Sequence, residues 1–296
     1  MQKELLKIAQ QKSKKYLSIY YDYIFCYIKY GANLQDYLNY QLYNLTIEEK
    51  KSFLTFGMNN NLIKKYNSPS FTKYLDNNKL FHQKFSHFLN YDYLYLNNFI
   101  GFKTFIQHNP IILANNQSIK ITNKNYLKIY QKLIDNKISY LTSNYEICPE
   151  FKALNPEGNV FIRFLILKNT IINAYLFIRF QNNEIYAPIN LETGIVDYPA
   201  INNKFKVFDK SPITKESIIW FKIPRWPRIK RYVEKISDSI PEINYLTLDI
   251  TLTTNEPILL NGSSKPMYTY YQQTLHRQDN YGIMNTINKI RKEEIK

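Results

Sequence analysis

The stretch YLTLDITLTTNEPILLNGS, residues 245–263, decides how the chain is read. Residues 245–253 alternate in polarity, as a strand with one polar-bearing face does. Thr254-Asn255-Glu256 is a turn, and residues 257–260 resume as a second strand that runs on into Asn261-Gly262-Ser263. The pair places one carboxylate, Asp249, on the first strand and two neutral oxygen-bearing side chains, Asn261 and Ser263, at the end of the second.

Working outward, residues 160–167 and 171–180 are strand-like and flank a Lys168-Asn169-Thr170 turn, so they predict a hairpin. A further strand over 185–191 leads to a Thr193-Gly194 turn. Residues 228–240 read as a helix stopped at Pro241, and 281–294 as a closing helix. Upstream, 111–113 and 118–121 are short strands around the polar turn Asn115-Asn116-Gln117. A helix over 123–136 and a strand over 138–142 complete a small β-β-α-β unit. The first part of the chain is helical. Apolar residues recur at three- and four-residue spacing through 5–30, and Gly31 ends that run. Thr46 and Glu49 form a capping box. Residues 70–89 read as another helix, with Phe71, Tyr74, Leu75, Phe81, Phe85 and Phe88 as its apolar positions. The order is a helical region (1–107), a small α+β subdomain (108–145) and a larger α+β subdomain (146–296).

Composition narrows the function classes. Hydrophobic residues are 45% of the 296, normal for a globular chain. No window reaches the ~18 consecutive apolar residues of a membrane span. The first residues are charged and lack the apolar core of a signal peptide. The expected location is the cytoplasm, with the inner membrane face as a peripheral site. Cys26 and Cys148 are far apart and read as reduced thiols. Of the four histidines, His82 and His87 are five apart, the wrong spacing to share a helix face as zinc ligands. The net charge of +15 and 27 tyrosines invite a nucleic-acid reading. Against it, the lysines are dispersed, and the Lys, Asn, Ile and Tyr bias is that of an AT-rich genome. Clusters such as Lys12, Lys14, Lys15 and Lys222, Arg225, Arg228, Lys230, Arg231 are short. Weak attraction to an anionic surface fits better than specific nucleic-acid binding.

Several stretches, taken in order, resemble the sugar-transfer-associated ATP-grasp family. They are Tyr30-Gly31-Ala32, Asp36-Tyr37, Tyr43, Leu45-Thr46, TFGMNNNLIKKYN (55–67), KLFHQKF (79–85) and Phe88-Leu89-Asn90. They continue with Leu154-Asn155-Pro156, Ile162-Arg163, APINLETG (187–194), FKIPRW (221–226) and a final region from Tyr245 through Asp249 to Gln272. Each piece is short; their shared order covers nearly the whole chain. The resemblance implies an α+β, ATP-grasp-like fold: a helical N-terminal region, then two α+β subdomains with a cleft between them. It implies a link to cell-surface polysaccharide synthesis, and ATP and magnesium as the family's cofactors.

Such enzymes activate a carboxylate as an acyl phosphate, which needs cations and backbone amides on the phosphates and oxygen ligands on Mg²⁺. The chain departs from the family pattern at those places. The phosphate strand and loop, residues 112–120, has no lysine at the strand end and no glycine, although Lys120 follows. The paired acids of the adenine hinge are Thr142-Ser143. The metal-binding Glu-Gly-Asn has become Asn261-Gly262-Ser263, and an Asp-Lys pair has become Asn78-Lys79. A family histidine before Pro212 is Ser211, and a glycine-containing stretch after Arg179 is shortened to residues 181–184.

The resemblance therefore implies a vestigial cleft of Lys79, Arg163, Arg179, Asp249, Asn261 and Ser263, with Thr142 and Ser143 as a degenerate adenine hinge. No catalytic residue is singled out and no metal site is expected. Asp249 should pair with a cleft cation such as Arg163. The cleft should be electropositive and take an anionic ligand (phosphate, a nucleotide or an acidic sugar), with a polysaccharide-synthesis protein as partner. The expected function is a pseudoenzyme with weak or lost Mg·ATP chemistry. Two alternatives stand beside it: an active ATP-dependent carboxylate ligase with a rearranged site, and a basic nucleic-acid-binding protein.

Overall fold

The structure, a computed structural model, describes residues 1–114, 117–157, 159–181, 183–277 and 279–292. Two antiparallel sheets organise it. The smaller has strand order β1-β4-β2-β3, formed by β1 (Tyr93–Tyr95), β2 (Ile111–Ala114), β3 (Gln117–Lys120) and β4 (Tyr140–Ser143). The larger has the order β11-β10-β5-β6-β7-β8-β9. Its strands are β5 (Val160–Leu167), β6 (Thr170–Phe180), β7 (Asn183–Pro188), β8 (Ala200–Asn202), β9 (Val207–Phe208), β10 (Tyr245–Leu252) and β11 (Pro257–Ser263).

Alternation along β5, β6 and β10 sends side chains to two covered faces. One face carries Ile162, Phe164, Ile166, Leu176, Ile178, Leu248 and Ile250. It packs on the helices Pro149–Leu154 and Trp226–Asp238. The buried stripe Trp226, Ile229, Val233, Ile236 of the latter recurs at helical spacing, and Pro227 opens the helix where its missing N–H costs nothing. Gly194 is required beneath it: φ is +72°, and a Cβ there would lie 2.5 Å from the Trp226 ring.

The opposite face carries Phe161, Leu165, Tyr175, Phe177 and Tyr245 and packs on the N-terminal helices and the segment after β11. Here Gly31 ends the helix Tyr16–Tyr30 in the left-handed conformation (φ +64°) and touches Gly57 so closely that a Cβ on either would be 2.9 Å from the other's Cα. The buried Asp36 carboxylate ties three segments together. It accepts hydrogen bonds from Tyr268 Oη (2.8 Å), Phe56 N (2.8 Å) and Asn33 N (3.1 Å). The Thr46–Glu49 capping box is present. A third core, around Phe102, Ile112, Leu133 and Leu141, belongs to the small sheet.

The predicted hairpin over β5 and β6 and the β10–β11 pair are present. Four details differ. Residues 5–30 are two helices, Gln2–Gln11 and Tyr16–Tyr30, because the polar run through Lys12–Lys15, with Ser13 at φ +51°, breaks the apolar period. Residues 70–89 form three short helices, Lys73–Asp76, Asn78–Lys84 and Ser86–Leu89, with Asn77 capping the second. Strand β1 and the helix Phe99–His108, from within the stretch read as helical, join the small sheet and its core. Strands β8 and β9 were not anticipated. The closing helix is Met284–Lys292; its expected end at 294, the turn residues 115 and 116, and Asn182 lie outside the described residues.

Candidate functional site

Strand register assembles the site. Arg163 on β5 lies directly opposite Asp249 on β10, and Asp249 lies opposite Asn261 on β11. Residues facing each other across antiparallel strands share a sheet face, so the three form one row. The β10–β11 register shifts just after Asp249, a bulge that ends the regular ladder beside the row. Arg163 closes a bidentate pair with Asp249, Nε–Oδ1 2.7 Å and Nη2–Oδ2 2.8 Å. Burial alone would depress the arginine's pKa, but the hydrogen bonds and charge of Asp249 outweigh it and raise it. The guanidinium also lies over the Phe177 ring (4.8 Å) and near Phe161 and Tyr270, which adds cation–π stabilisation on a partly dry face.

Above this row, between the two sheets, is a cavity of about 430 Å³. The large sheet contributes Phe161, Arg163, Arg179, Asp249, Leu260 and Asn261. The small sheet contributes Leu113, Tyr140 and Thr142, and helix Asn78–Lys84 contributes Asn78, Phe81 and His82. Tyr91 and Tyr145 complete the wall. A smaller cavity of about 180 Å³ shares Arg163, Asp249 and Asn261 and adds Thr247, Gly262, Ser263, Lys265 and Met267.

Of the residues implied from sequence, Arg163, Arg179, Asp249, Asn261 and Thr142 meet around the larger cavity, and Ser263 lines the smaller. Lys79 is exposed and does not line either. Successive helical side chains point about 100° apart, so with Asn78 on the cavity Lys79 turns to solvent. Ser143 also departs from the expectation. Strand alternation turns it away from the cavity that Thr142 faces, and its Oγ accepts a hydrogen bond from Asp92 N at 2.9 Å. Ser211 is buried away from the site and donates to Leu154 O at 2.6 Å.

The expected unmatched cationic cleft is corrected by the ion pairing. Arg179 donates from Nε and Nη2 to Glu184 Oε2 (3.0 and 2.7 Å) and covers the Phe161 ring. Both cavity arginines are thus paired with carboxylates. The charge that sequence reasoning left free on Arg179 is met by its register partner on β7.

Sequence reasoning missed an aromatic nest on the small-sheet side. His82 is buried, with Nδ1 2.8 Å from Tyr95 Oη, its ring stacked on Tyr93 (4.6 Å) and edge-on to Tyr140 and Tyr91. Burial pulls its pKa down to about 4, so the ring is neutral at physiological pH. The available signal was the alternation Tyr91-Asp92-Tyr93-Leu94-Tyr95, which puts tyrosines on one side of an extended segment.

Whether these residues fit Mg²⁺ can be tested on the carboxylate. Both oxygens of Asp249 are held by one guanidinium, and the residue opposite on β11 is a neutral amide. Among the described residues, no three His, Cys, Asp or Glu side chains gather where they could ligate a metal. Mg²⁺ gives up its waters reluctantly and needs negative oxygen to hold it. The donor set does not fit the ion.

A profile of the family described as sugar-transfer associated ATP-grasp matches residues 123–278, more than half of the chain, from just before the helix Tyr126–Asp135 through the segment after β11. The chain belongs to the sugar-transfer-associated ATP-grasp family. No curated protein matches it. Solved structures that resemble it include the ATP-grasp ligase PsnB complexed with precursor peptide PsnA2 and AMPPNP, at 10% identity and TM-score 0.48 over 88% of this chain and 76% of that one. The macrocyclase MdnC from Microcystis aeruginosa MRC, bound with precursor peptide MdnA, is 10% identical with TM-score 0.42 over 83% and 72%. D-alanine–D-alanine ligase from Bacillus anthracis is 11% identical with TM-score 0.40 over 73% and 68%. These are distant likenesses.

In this sugar-transfer-associated ATP-grasp protein the cavity lies where the two sheets face each other, and the Arg163–Asp249–Asn261 row forms its floor. No helix is long and apolar enough to cross a membrane, among the described residues.

Proposed function

We propose that this protein is a ligand-binding ATP-grasp scaffold serving cell-surface polysaccharide assembly, a pseudoenzyme that no longer carries out magnesium-dependent carboxylate activation. One observation carries the reading: the carboxylate that would face the metal is closed by Arg163, with Asn261 beside it in place of a second negative charge. Phosphoryl transfer depends on metal and cations that neutralise charge as it develops. Here the charges are already matched to one another.

The cavity's remaining chemistry suits binding. Its volume lies within the roughly 300–1,000 Å³ of small-molecule sites. Tyr91, Tyr140 and Tyr145 offer aromatic rings, while Asn78, Thr142 and Asn261 offer neutral hydrogen-bonding groups. A polar ligand with a ring, such as a nucleotide or an acidic sugar, would be held by stacking and neutral hydrogen bonds. A carboxylate or phosphate on it would have to compete with Asp249 or Glu184 for an arginine. A protein of polysaccharide synthesis is the proposed partner.

The test is ATP turnover together with ligand titration. The full chain is incubated with Mg·ATP and candidate carboxylate acceptors, and ADP release is followed; ATP, AMP and glucuronate are titrated separately by calorimetry. The proposal expects no ADP above the protein-free rate, and measurable metal-independent binding of a ring ligand. Sustained ADP formation that tracks an acceptor would replace it with the active-ligase reading.

A further inference from the structure

The helix Tyr16–Tyr30 is apolar on two opposite faces. Ile19, Tyr23, Cys26 and Tyr30 are buried in the core shared with the large sheet. On the other side, Leu17 (60% exposed), Tyr21 (66%), Phe25 (41%) and Ile28 (77%) face solvent. At about 100° per residue these four fall within a quarter turn, with the half-buried Ile24 at the stripe's edge. A surface helix on a water-facing protein has a polar outer side. This one carries a continuous apolar stripe there instead, the kind of exposed feature that marks a docking surface.

Charge decides what docks. Lys12, Lys14 and Lys15 are exposed at the N-terminal end of this helix and Lys29 is exposed at its C-terminal end. Among the described residues none of these four makes an ion pair. Asp22, the helix's acidic residue, is turned inward to Lys50 and Tyr37 Oη (2.9 Å). The stripe is therefore bracketed by lysines with no acid among them. A second copy packed antiparallel on the stripe would bring the Lys12–Lys15 end against Lys29 of its mate, like charge on like. An anionic bilayer complements the same arrangement: lysines meet headgroups while leucine, isoleucine and aromatic side chains enter the headgroup–acyl boundary.

We propose that the outer face of helix Tyr16–Tyr30 lies on an anionic lipid surface, with Leu17, Tyr21, Phe25 and Ile28 inserted and Lys12, Lys14, Lys15 and Lys29 on the headgroups. The docking is independent of the cavity and its ligand.

The experiment is co-sedimentation of the full chain with vesicles of equimolar phosphatidylserine and phosphatidylcholine, beside vesicles of phosphatidylcholine alone. Binding is expected to the first and not the second, and to weaken as salt is raised. The double variant Lys14→Glu/Lys15→Glu should lose affinity by roughly 30-fold or more, at about 1 kcal/mol per neutralised lysine. Leu17→Glu/Ile28→Glu should abolish binding with circular dichroism and the thermal midpoint unchanged, since both sites are exposed. Binding that ignores lipid charge, or survives Leu17→Glu/Ile28→Glu, overturns the proposal. So does an absence of vesicle binding with a dimer that Ile28→Glu dissociates, which would assign the stripe to a second copy.

Discussion

Arg163 and Asp249 stand opposite each other on neighbouring antiparallel strands and share two hydrogen bonds of 2.7 and 2.8 Å, with side chains only 15% and 11% exposed. That geometry makes the pair a structural clasp of the cavity floor. Breaking it from one side leaves a nearly buried charge without a partner, which costs about 3 kcal/mol or more. Removing both sides together costs much less. Arg163→Met should therefore lower the urea midpoint substantially, and Arg163→Met/Asp249→Leu should recover most of the loss. Equal midpoints for Arg163→Met and the parent would show that the pair contributes little.

Restoring the two lost metal-side residues should not restore catalysis. In Asn261→Glu/Ser263→Asn the new carboxylate would stand beside an Asp249 already closed by Arg163. A third element, the lysine and glycines of the phosphate loop, is also absent from residues 112–120. The expected outcome is no ADP release above background in a coupled assay. Recovery of turnover would mean that a phosphate grip survives elsewhere in the cavity.

The neutral His82 predicts acid sensitivity. Its folded pKa of about 4 lies below the ordinary 6.5 because burial disfavours the charged ring. Above pH 6.5 both folded and unfolded forms are neutral and the group contributes no pH dependence. As pH falls below 6.5 the unfolded chain takes up the proton first, so stability declines until pH reaches about 4. The loss attributable to this residue is at most about 3 kcal/mol. The buried His276, whose pKa is also pulled down by burial to about 4, adds a loss of the same sign over the same window. His82→Phe should flatten part of the slope between pH 6.5 and 4 in pH-dependent thermal melts, and an unchanged slope would remove His82 from the account.

What the sequence disclosed follows from which signals are local. The β5–β6 hairpin was legible because two strand-like runs flank the turn at Lys168-Asn169, and both turn residues do take positive φ. The Arg163–Asp249 pairing was anticipated from charge, since a single carboxylate beside the neutral Asn261 and Ser263 is a poor Mg²⁺ trap and pairs with a surviving cation; the register that sets the two opposite each other is a long-range property. Strand β1 is three residues long and lies at the sheet edge, so the tyrosine alternation through 91–95 is its one local trace. Glu184's hold on Arg179 was not legible because the return strand reads from Ile185, which leaves Glu184 in the shortened stretch before it, whereas β7 begins at Asn183 and sets Glu184 opposite Arg179. His82 was judged only as a metal ligand, by spacing, although its partners are tyrosines brought in by tertiary packing.

The most direct test of the central claim, that the ATP-grasp cavity persists without its metal chemistry, is calorimetric titration of the full chain with ATP in the presence and absence of magnesium. Hydrogen bonds to charged groups contribute roughly 1.5–3 kcal/mol each, so losing about three of them moves a micromolar site toward the millimolar range. The account predicts a Kd of roughly 1 mM or weaker that magnesium does not improve. A Kd near 1 μM that appears only with magnesium would contradict it.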